Sequence, residues 1–388
     1  MEGFITRQIS QQIKEQKTKF PVIALTGPRQ SGKTTLLRQL FTDYQYISLE
    51  DPDIRSFADE DPVGFLNTYN QQVIFDEIQR TPKLFSYIQR IVDESGRMGQ
   101  FVLSGSQNFH LLNNITQTLA GRVALFKLLP FDFEELKTAG LLDQSWASSA
   151  IKGFYPAIYR REIDPVVFYA NYIDTYVQKD VTELLKIRDL GQFRTFLGLC
   201  ASRTGQLLNI NGLANECDIS QPTAKAWLSI LESSYIIFLL HPYHQNFNKR
   251  LVKSPKLYFY DTGLVSNLLD IRNSTDLIEN RLKGNLFENM IIAEFQKQNN
   301  HRYLHNNYNF WQDSNGKEVD LLIKKNKGFD IYEVKATQTI SPALFKEMDY
   351  FESLVPDKQI NKTLIYGGNE PQQRSKYTVT SWNNPLFI

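Results

Sequence analysis

The amino-acid sequence predicts a multi-domain α/β protein whose first domain contains a parallel β-sheet. The chain has 388 residues, more than one hydrophobic core usually organises, so two or three domains are expected. Short apolar segments alternate with helical segments over the first third, as they do in a parallel sheet with crossover helices. After Pro130 the pattern becomes helical and aromatic, and the end of the chain combines a helix with strands and turns.

The composition is that of a folded protein without a global attraction to polyanions. Hydrophobic residues make up 42% and charged residues 22%, and the net charge is +1, so any basic surface must be local. No apolar run approaches the ~18 residues of a membrane span, and the N-terminus lacks a signal-peptide pattern. Cys200 and Cys217 make neither a disulfide framework nor a metal site. We therefore expect a cytoplasmic protein without a membrane partner.

The chain divides into four predicted segments with boundaries near residues 145, 205 and 265. They are an α/β domain (1–145), a helical linker or lid (146–205), a small helix-and-strand domain (206–264) and an α+β domain (265–388). In the first domain, we expect strands at residues 21–25, 44–49, 73–75 and 101–103.

A turn bounded by two glycines joins the first predicted strand to a helix. Gly27 and Gly32 enclose the sequence Pro-Arg-Gln-Ser and precede Lys-Thr, which is the spacing of a P loop. The glycines let successive N–H groups point at phosphate oxygens, and the helix dipole favours an anion. Lys33 is predicted to contact the β- and γ-phosphates of ATP, and Thr34 to place its hydroxyl on Mg²⁺. The predicted nucleotide-binding residues are Gly27, Pro28, Arg29, Gln30, Ser31, Gly32, Lys33, Thr34 and Thr35. A chance glycine loop is the alternative.

The third predicted strand ends in the acids Asp76 and Glu77. Two carboxylates at the end of an apolar strand are costly unless they are paired or coordinate a cation. Asp76 is predicted to hold Mg²⁺ through water, and Glu77 to polarise the attacking water as general base. Two solvated acids at a strand end are the alternative. After the next strand, Ser106, or as second choice Gln107, is the candidate sensor of the γ-phosphate, with an ordinary turn equally open.

These motifs resemble those of bacterial and archaeal AAA-like ATPases that carry a C-terminal domain of unknown function. The ATPase motifs are Pro-Arg-Gln-Ser-Gly-Lys-Thr, Ile-Phe-Asp-Glu-Ile-Gln, Leu-Ser-Gly-Ser-Gln and Leu-Ala-Gly-Arg, and residues 176–180 and 260–264 are similar to signatures of the C-terminal domain. The resemblance covers nearly the whole chain and implies an AAA-type core, in which Arg122 is a candidate arginine finger. A finger supplied in trans would require a homo-oligomer, and a structural or surface arginine is the alternative. No second-sensor arginine stands out after Pro130.

The segment from 206 to 264 has the pattern of a winged helix. Two helices are predicted at residues 209–217 and 221–232, followed by wing strands at 235–240 and 256–260. The candidates for base contacts are Gln221, Thr223 and Lys225, and those for phosphate contacts are Lys249, Arg250 and Lys253. A winged helix used for protein docking is the alternative.

Carboxylates and a lysine converge in the predicted C-terminal domain. Glu288 lies on the apolar face of a predicted helix, and Glu318 and Asp320 share one face of a strand. A hairpin loop at residues 325–328 would set Asp320 opposite Glu333 and Glu318 opposite Lys335. Such a cluster suits phosphodiester hydrolysis on Mg²⁺, with Glu288, Asp320 and Glu333 as ligands and Lys335 orienting or deprotonating water. The pattern resembles the restriction-endonuclease-like motif, although Val319 replaces its proline. A salt-bridge set, or an inherited fold that does not cut, is the alternative.

Two hypotheses follow for the whole chain. The first is an ATP-regulated enzyme that acts on DNA or RNA. The second is a nucleotide-gated switch whose C-terminal half binds DNA or a protein partner without cleavage. A small-molecule or nucleoside kinase is a third reading, which the adjacent Asp76 and Glu77 and the later domains disfavour.

Overall fold

The structure is a computed structural model that describes residues 4–105, 117–177, 190–244 and 251–384. The strands are β1 (Val22–Thr26), β2 (Gln45–Ser48), β3 (Val73–Asp76), β4 (Phe101–Gly105), β5 (Val123–Lys127), β6 (Gln206–Leu207), β7 (Ile237–Pro242), β8 (Lys256–Phe259), β9 (Tyr308–Gln312), β10 (Glu318–Lys324), β11 (Gly328–Lys335), β12 (Gln359–Tyr366), β13 (Gln372–Gln373) and β14 (Thr378–Ser381). The strands form two sheets in the described part of the chain.

Helices cover both sheets. They are α1 (Ile9–Lys17), α2 (Lys33–Leu40), α3 (Pro52–Glu60), α4 (Pro62–Thr68), α5 (Leu84–Ser95), α6 (Phe133–Thr138), α7 (Trp146–Lys152), α8 (Pro156–Arg161), α9 (Pro165–Tyr172), α10 (Leu190–Ser202), α11 (Ile210–Glu216), α12 (Gln221–Ser233), α13 (Thr262–Leu268), α14 (Ser274–Glu279), α15 (Lys283–His301) and α16 (Lys346–Leu354). Short 3₁₀ turns occur at Ile78–Arg80 and Pro342–Phe345, and a π-helical turn at Ile173–Val177. None of the helices that the structure describes has the length and apolar character of a membrane span.

The first sheet is parallel throughout, in the order β2-β3-β4-β1-β5 within the described ranges. Alternate residues of β1 enter two different cores, because helices cover both faces: Val22 packs with one cluster and Ile23 with the other. The parallel sheet predicted for the first third of the chain is confirmed. Its topology places the carboxyl ends of β1, β4 and β3 side by side, so the segments that follow β1 and β3 meet at one edge.

The second sheet runs β13-β14-β12-β11-β10-β9-β7-β8-β6 over the residues that the structure describes. Parallel pairing of His241 with Asn309 and of Pro242 with Phe310 joins β7 to β9. The strands that the sequence assigned to a wing therefore continue the sheet of the C-terminal region, across the predicted boundary at residue 265. A single buried cluster also unites Phe131 and Phe133 with residues as distant as Trp382. The predicted domain boundaries stay predictions.

Capping residues and strand alternation explain where α11, α12 and the hairpin of β10 and β11 form. Asn209 and Ser220 cap α11 and α12 by accepting hydrogen bonds from amides within their first turns. In the hairpin of β10 and β11, Lys324 pairs with Phe329 in the predicted register. Leu321 pairs with Tyr332 in the same register, so the preceding Asp320 and the following Glu333 lie next to each other on neighbouring strands.

Candidate nucleotide site and C-terminal carboxylate cluster

The loop between β1 and α2 has a backbone that needs its glycines. Gly27, Gln30 and Gly32 have φ angles of 149°, 60° and 94°. A Cβ atom on Gly27 would lie 2.1 Å from the carbonyl oxygen of Leu128, so a side chain has no room there. The glycines therefore let the loop curl tightly above the end of the sheet, with its amides at the amino end of α2.

Lys33 is folded across this loop. Its Nζ donates hydrogen bonds to the carbonyl oxygens of Gly27 and Pro28, both at 2.9 Å. The residue is 7% exposed. The ammonium is thus held at the place where a phosphate chain bound by the loop would lie.

The carboxylate of Asp76 is held by three hydroxyl groups. Thr34 Oγ1 donates to Asp76 Oδ2 at 2.9 Å, Tyr46 donates to the same oxygen at 2.5 Å, and Ser104 donates to Oδ1. Burial, followed by the hydrogen bond to Asp76, raises the pKa of Tyr46 to about 12, so its hydroxyl remains a donor. The hydroxyl of Thr34 and the carboxylate of Asp76 are oxygen ligands of the kind that Mg²⁺ prefers, and their separation fits shared coordination through the ion and its waters.

Glu77 follows β3 in a left-handed backbone conformation, with φ of 56°. A non-glycine residue in this conformation carries strain of about 1 kcal/mol or more, and such strain is concentrated at functional sites. Its carboxylate accepts a hydrogen bond from the side-chain amide of Gln79. Glu77 lines the same cavity as Lys33 and Asp76.

This cavity has a volume of about 640 Å³ and is closed on one side by α8. From α8 come Pro156, Ala157, Arg160 and Arg161, and the exposed arginines bring positive charge to a space already lined by Lys33. No sequence pattern indicated these arginines, since no second-sensor arginine was apparent after Pro130. The one feature of the sequence that could have indicated them is that two arginines stand next to each other at the end of a short helix.

One predicted residue of the ATPase site, Arg122, lies away from the cavity. Arg122 precedes β5, and its carbonyl accepts a hydrogen bond from the amide of Val22 at the start of β1, so it lies at the opposite edge of the sheet from the P loop. Its guanidinium binds both carboxylate oxygens of Asp93, with Nη2 2.9 Å from Oδ2. Within one chain Arg122 therefore does not reach the cavity. Ser106 and Gln107 lie outside the described residues.

A buried polar network connects the P loop to helix α15. Arg7 donates to the carbonyl oxygen of Ser31 at 2.9 Å and to Glu135 at 3.0 Å. His301, the last residue of α15, accepts from the Leu129 amide through Nε2, so its Nδ1 carries the proton shared with Asp132 at 2.7 Å. No sequence pattern indicated Arg7, because its partners are more than twenty residues away along the chain.

The segment at residues 260–264 fixes the position of α8. Asp261 caps α13, accepts from the Phe154 amide at 2.8 Å and accepts from the Tyr169 hydroxyl at 2.6 Å. A Cβ atom on Gly263 would lie 2.4 Å from the ring of Tyr169. These contacts hold the turn before α8, and so the arginines of the cavity, against the C-terminal region.

A second cavity of about 580 Å³ contains the C-terminal carboxylates. Lys335 Nζ lies 2.6 Å from Glu333 Oε1 and 3.3 Å from Asp320 Oδ2, and the Val334 amide donates to the same Asp320 oxygen at 2.7 Å. Burial, with the charge of Asp320, raises the pKa of Glu333 to about 9. Burial also raises the pKa of Glu318 to about 7. Asp320, Glu333 and Lys335 are thus brought together, and Glu288 lines the same cavity.

The carboxylates within ligand distance differ from the predicted set. Glu288, Glu318 and Asp320 each offer an oxygen within 4.8 Å of the other two, whereas Glu333 is engaged by Lys335. Lys256, on β8, binds Glu288 at 2.9 Å and also pairs with Glu318. Because an ammonium group already bonds to two of these carboxylates, the cluster as it stands does not fit a metal ion. No sequence pattern indicated Lys256, which comes from a segment assigned to a different domain.

The candidates for nucleic-acid contacts are only partly described. Gln221 and Lys225 are exposed at the amino end of α12, and Thr223 is half-buried with its hydroxyl 2.7 Å from that of Ser220. Lys253 is exposed before β8. Lys249 and Arg250 lie outside the described residues.

A parallel sheet with a P loop after β1 and an acid pair after β3 defines the class of the protein, an α/β protein with an ATPase-like P-loop domain. Comparison with protein families gives a match for each of three segments. Residues 19–137 match the AAA domain, residues 143–275 match a domain of unknown function (DUF8612), and residues 283–384 match a second such domain (DUF4143). An AAA domain followed by a C-terminal domain of unknown function supports the predicted resemblance to AAA-family ATPases that carry such a domain.

The chain is similar to two curated mycobacterial proteins. The uncharacterized protein Mb2031c of Mycobacterium bovis and the uncharacterized protein Rv2008c of Mycobacterium tuberculosis are each 28% identical to it over 366 residues, which is 93% of this chain and 80% of the relative. Among solved structures, the Walker-type ATPase PABY2304 of Pyrococcus abyssi matches with a TM-score of 0.47 and 15% identity, over 68% of this chain and 96% of that one.

Proposed function

We propose that the protein binds ATP with Mg²⁺ in the cavity between the P loop and α8 and hydrolyses it to ADP and phosphate. The observation that carries this proposal is the convergence of Lys33, Thr34, Asp76 and Glu77 on one cavity beside a loop whose glycines a side chain cannot replace. The amides at the start of α2 would bind the phosphate oxygens. Lys33 would exchange its two loop carbonyls for the β- and γ-phosphates.

The chemistry assigns one role to each acid. Mg²⁺, when bound by Thr34 and Asp76, neutralises charge on the β- and γ-phosphates. Glu77 accepts a proton from water as the water oxygen bonds to the γ-phosphorus, and the bond from that phosphorus to the β–γ bridging oxygen breaks to release ADP. Gln79 holds the Glu77 carboxylate in place until ATP and water arrive. Arg160 or Arg161 would compensate the charge that develops on the γ-phosphate.

Phosphate release and nucleotide binding, measured separately, test this proposal. Lys33→Ala is expected to lose ATP binding, whereas Glu77→Gln is expected to bind ATP and lose turnover by roughly 10²-fold or more. Glu50→Gln is the matched control, since Glu50 lines the same cavity but pairs with Arg80 at 3.6 Å. Turnover in Glu77→Gln equal to that of the control would remove Glu77 from the mechanism. Transfer of phosphate to an acceptor other than water would favour a kinase.

We infer a second function, contact with nucleic acid by the C-terminal half. The observation that favours it is the succession α10, β6, α11, α12, β7 and β8, which is the element order of a winged helix, with polar residues exposed at the amino end of α12. The cavity with Asp320, Glu333 and Lys335 on adjacent strands is consistent with a restriction-endonuclease-like fold. The ammonium of Lys256 among its carboxylates favours the non-cleaving alternative.

Fluorescence anisotropy of labelled DNA and RNA, with ATP or ADP present, tests this second function. Lys225→Ala and Lys253→Ala are expected to weaken binding and its salt dependence, whereas Lys362→Ala, in β12 and paired with Asp349 and Glu352, serves as the control. Strand breakage that Asp320→Ala abolishes would decide for the nuclease. If all three variants bind nucleic acid as tightly as the wild type, the winged-helix surface is not the binding site.

A further inference from the structure

Lys256 is a buried lysine inside the C-terminal carboxylate cluster. It begins β8, its side chain is 5% exposed, and its Nζ lies 2.9 Å from Glu288 Oε1 while pairing with Glu318. Removing an ammonium from water is costly unless anions surround it. Here burial is offset first by Glu288, so that the pKa of Lys256 is raised well above its usual value. Lys256 is therefore a permanent positive charge in this cavity.

The hydrogen bonds at Glu288 occupy one of its two carboxylate oxygens. Its Oε1 accepts from Lys256 and also from the hydroxyl of Tyr258 at 2.5 Å. A carboxylate oxygen has two lone pairs, and these two donors occupy both. A divalent ion needs an oxygen at roughly 2.0–2.6 Å. At this oxygen it would have to displace the ammonium, and at Glu288 and Glu318 together it would lie beside the positive charge that already joins them.

Among the other residues that line the cavity, carboxyl groups outnumber lysines. Glu333, 3% exposed, has an oxygen (Oε2) that lacks a hydrogen-bond partner among the described residues. Its other oxygen and Asp320 depend on Lys335. Five carboxylates line this cavity, and Glu347 pairs with Lys317. Without Lys256, the other four would face one lysine, with the oxygens of Glu288, Glu318 and Asp320 within 4.8 Å of one another.

We propose that Lys256 is the resident cation of this cluster, so that the native cavity takes no divalent metal ion and becomes a metal site only when Lys256 is removed. The C-terminal half is then a binding module rather than a metal-dependent nuclease. This deepens the second proposed function, and it is independent of ATP hydrolysis.

Mn²⁺ binding to the full chain without nucleotide, followed by electron paramagnetic resonance, tests the proposal. Lys256→Met keeps the volume of the side chain and removes its charge, and it is expected to bind one more Mn²⁺ per chain than the wild type. Lys362→Met is the matched control, because Lys362 is equally buried (4% exposed side chain) and joins Asp349 and Glu352 at 2.9 and 2.7 Å outside the cavity. It is expected to bind no additional ion.

Thermal unfolding supplies the second readout. Mn²⁺ is expected to raise the Tm of Lys256→Met and to leave that of the wild type unchanged, and adding Asp320→Asn to Lys256→Met should abolish the gain. If Lys256→Met does not fold either with or without Mn²⁺, Lys256→Gln is used instead, because it keeps hydrogen-bond donors. Wild-type Mn²⁺ binding that Asp320→Asn removes would overturn the proposal. The proposal would also be overturned if Lys256→Met or Lys256→Gln folds cooperatively but binds no additional Mn²⁺. Because nucleotide is absent, neither outcome depends on the ATPase assignments.

Discussion

At the scale of single residues, the nucleotide cavity depends on side chains that are far apart in the sequence. Arg160 and Arg161 reach it from α8, whose Pro156 would lie 3.9 Å from a Cβ atom on Gly32. A guanidinium that lines the same cavity as a phosphate-binding loop stabilises negative charge more strongly than it would in open solvent.

Alanine at each of these arginines is therefore expected to impair ATP hydrolysis. The residue that contacts the γ-phosphate should lose roughly 10²-fold in kcat/KM. Arg90→Ala, an exposed change on α5 outside the cavity, should leave hydrolysis unchanged. Steady-state phosphate release measures all three variants. If Arg160→Ala and Arg161→Ala both match Arg90→Ala, α8 only covers the cavity.

Glu294 makes stability depend on pH. Burial, followed by the charge of Asp132, raises the pKa of Glu294 to about 8, and the carboxyl accepts from the Phe133 amide at 2.9 Å. Burial also lowers the pKa of its neighbour Lys297. Since the folded state holds a proton that the unfolded state releases near its ordinary pKa of 4.5, folding is favoured at low pH. This contribution is present below that value and is lost as pH rises through about 8.

The free energy of unfolding should thus fall by up to about 1.4 kcal/mol per pH unit between those limits. Glu294→Gln, which mimics the protonated side chain, should flatten this slope, whereas the exposed Glu134→Gln should not. Urea unfolding at several pH values measures it. An unchanged slope in Glu294→Gln would assign the pH dependence to other groups.

At the scale of helices and strands, the sequence predicted what local spacing encodes. The turn from β1 to α2 and the acids that end β3 were predictable because their chemistry lies within a few consecutive residues. The hairpin register followed from strict alternation along β10 and β11. Arg7, α8 and Lys256 were not predictable, because each acts through partners that only the tertiary fold brings near. The extension of the C-terminal sheet through β7 was hidden for the same reason.

Arg7 connects two of these elements, the P loop and α15. Arg7→Met would leave Glu135 buried without its guanidinium and would release the carbonyl of Ser31. We expect a loss of about 3–5 kcal/mol in unfolding free energy, as for other buried ion pairs deprived of one partner. ATP should also bind more weakly.

Chemical unfolding and ATP titration measure both effects. Arg7→Lys keeps the charge but not the planar set of donors, so it should fall between the wild type and Arg7→Met. Equal stability of all three proteins would show that the network contributes little.

At the scale of the whole molecule, the AAA domain and the C-terminal region are joined by buried contacts. Tyr235 donates a hydrogen bond to Thr26, at the end of β1, at 2.7 Å. His301 reaches Leu129 from α15. Nucleotide binding should therefore stabilise regions that contain no part of the nucleotide cavity.

Tryptophan fluorescence can detect this coupling, because all four tryptophans follow residue 145: Trp146, Trp227, Trp311 and Trp382. In Glu77→Gln, which should retain ATP, saturation at ~100 times Kd adds about 2.7 kcal/mol and should raise the Tm seen by tryptophan by about 3 °C. Glu77→Gln carrying Lys33→Ala is the control and should show no shift. If thermal unfolding shows separate transitions, and ATP does not change the Tm of the transition seen by tryptophan, the two regions unfold independently.

The line where β7 meets β9 has a consequence for charge balance. Lys256 stands on one side of that line and Glu318 on the other. The two half-sheets are joined by the pairing of residues 241–242 with 309–310, by a bridge between Leu251 and Asp313, and by backbone hydrogen bonds from Tyr243 and Val252. The ion pair between the lysine and the glutamate therefore crosses the junction between two parts of one sheet. The charge balance of the C-terminal cavity depends on this junction as well as on the residues that line the cavity.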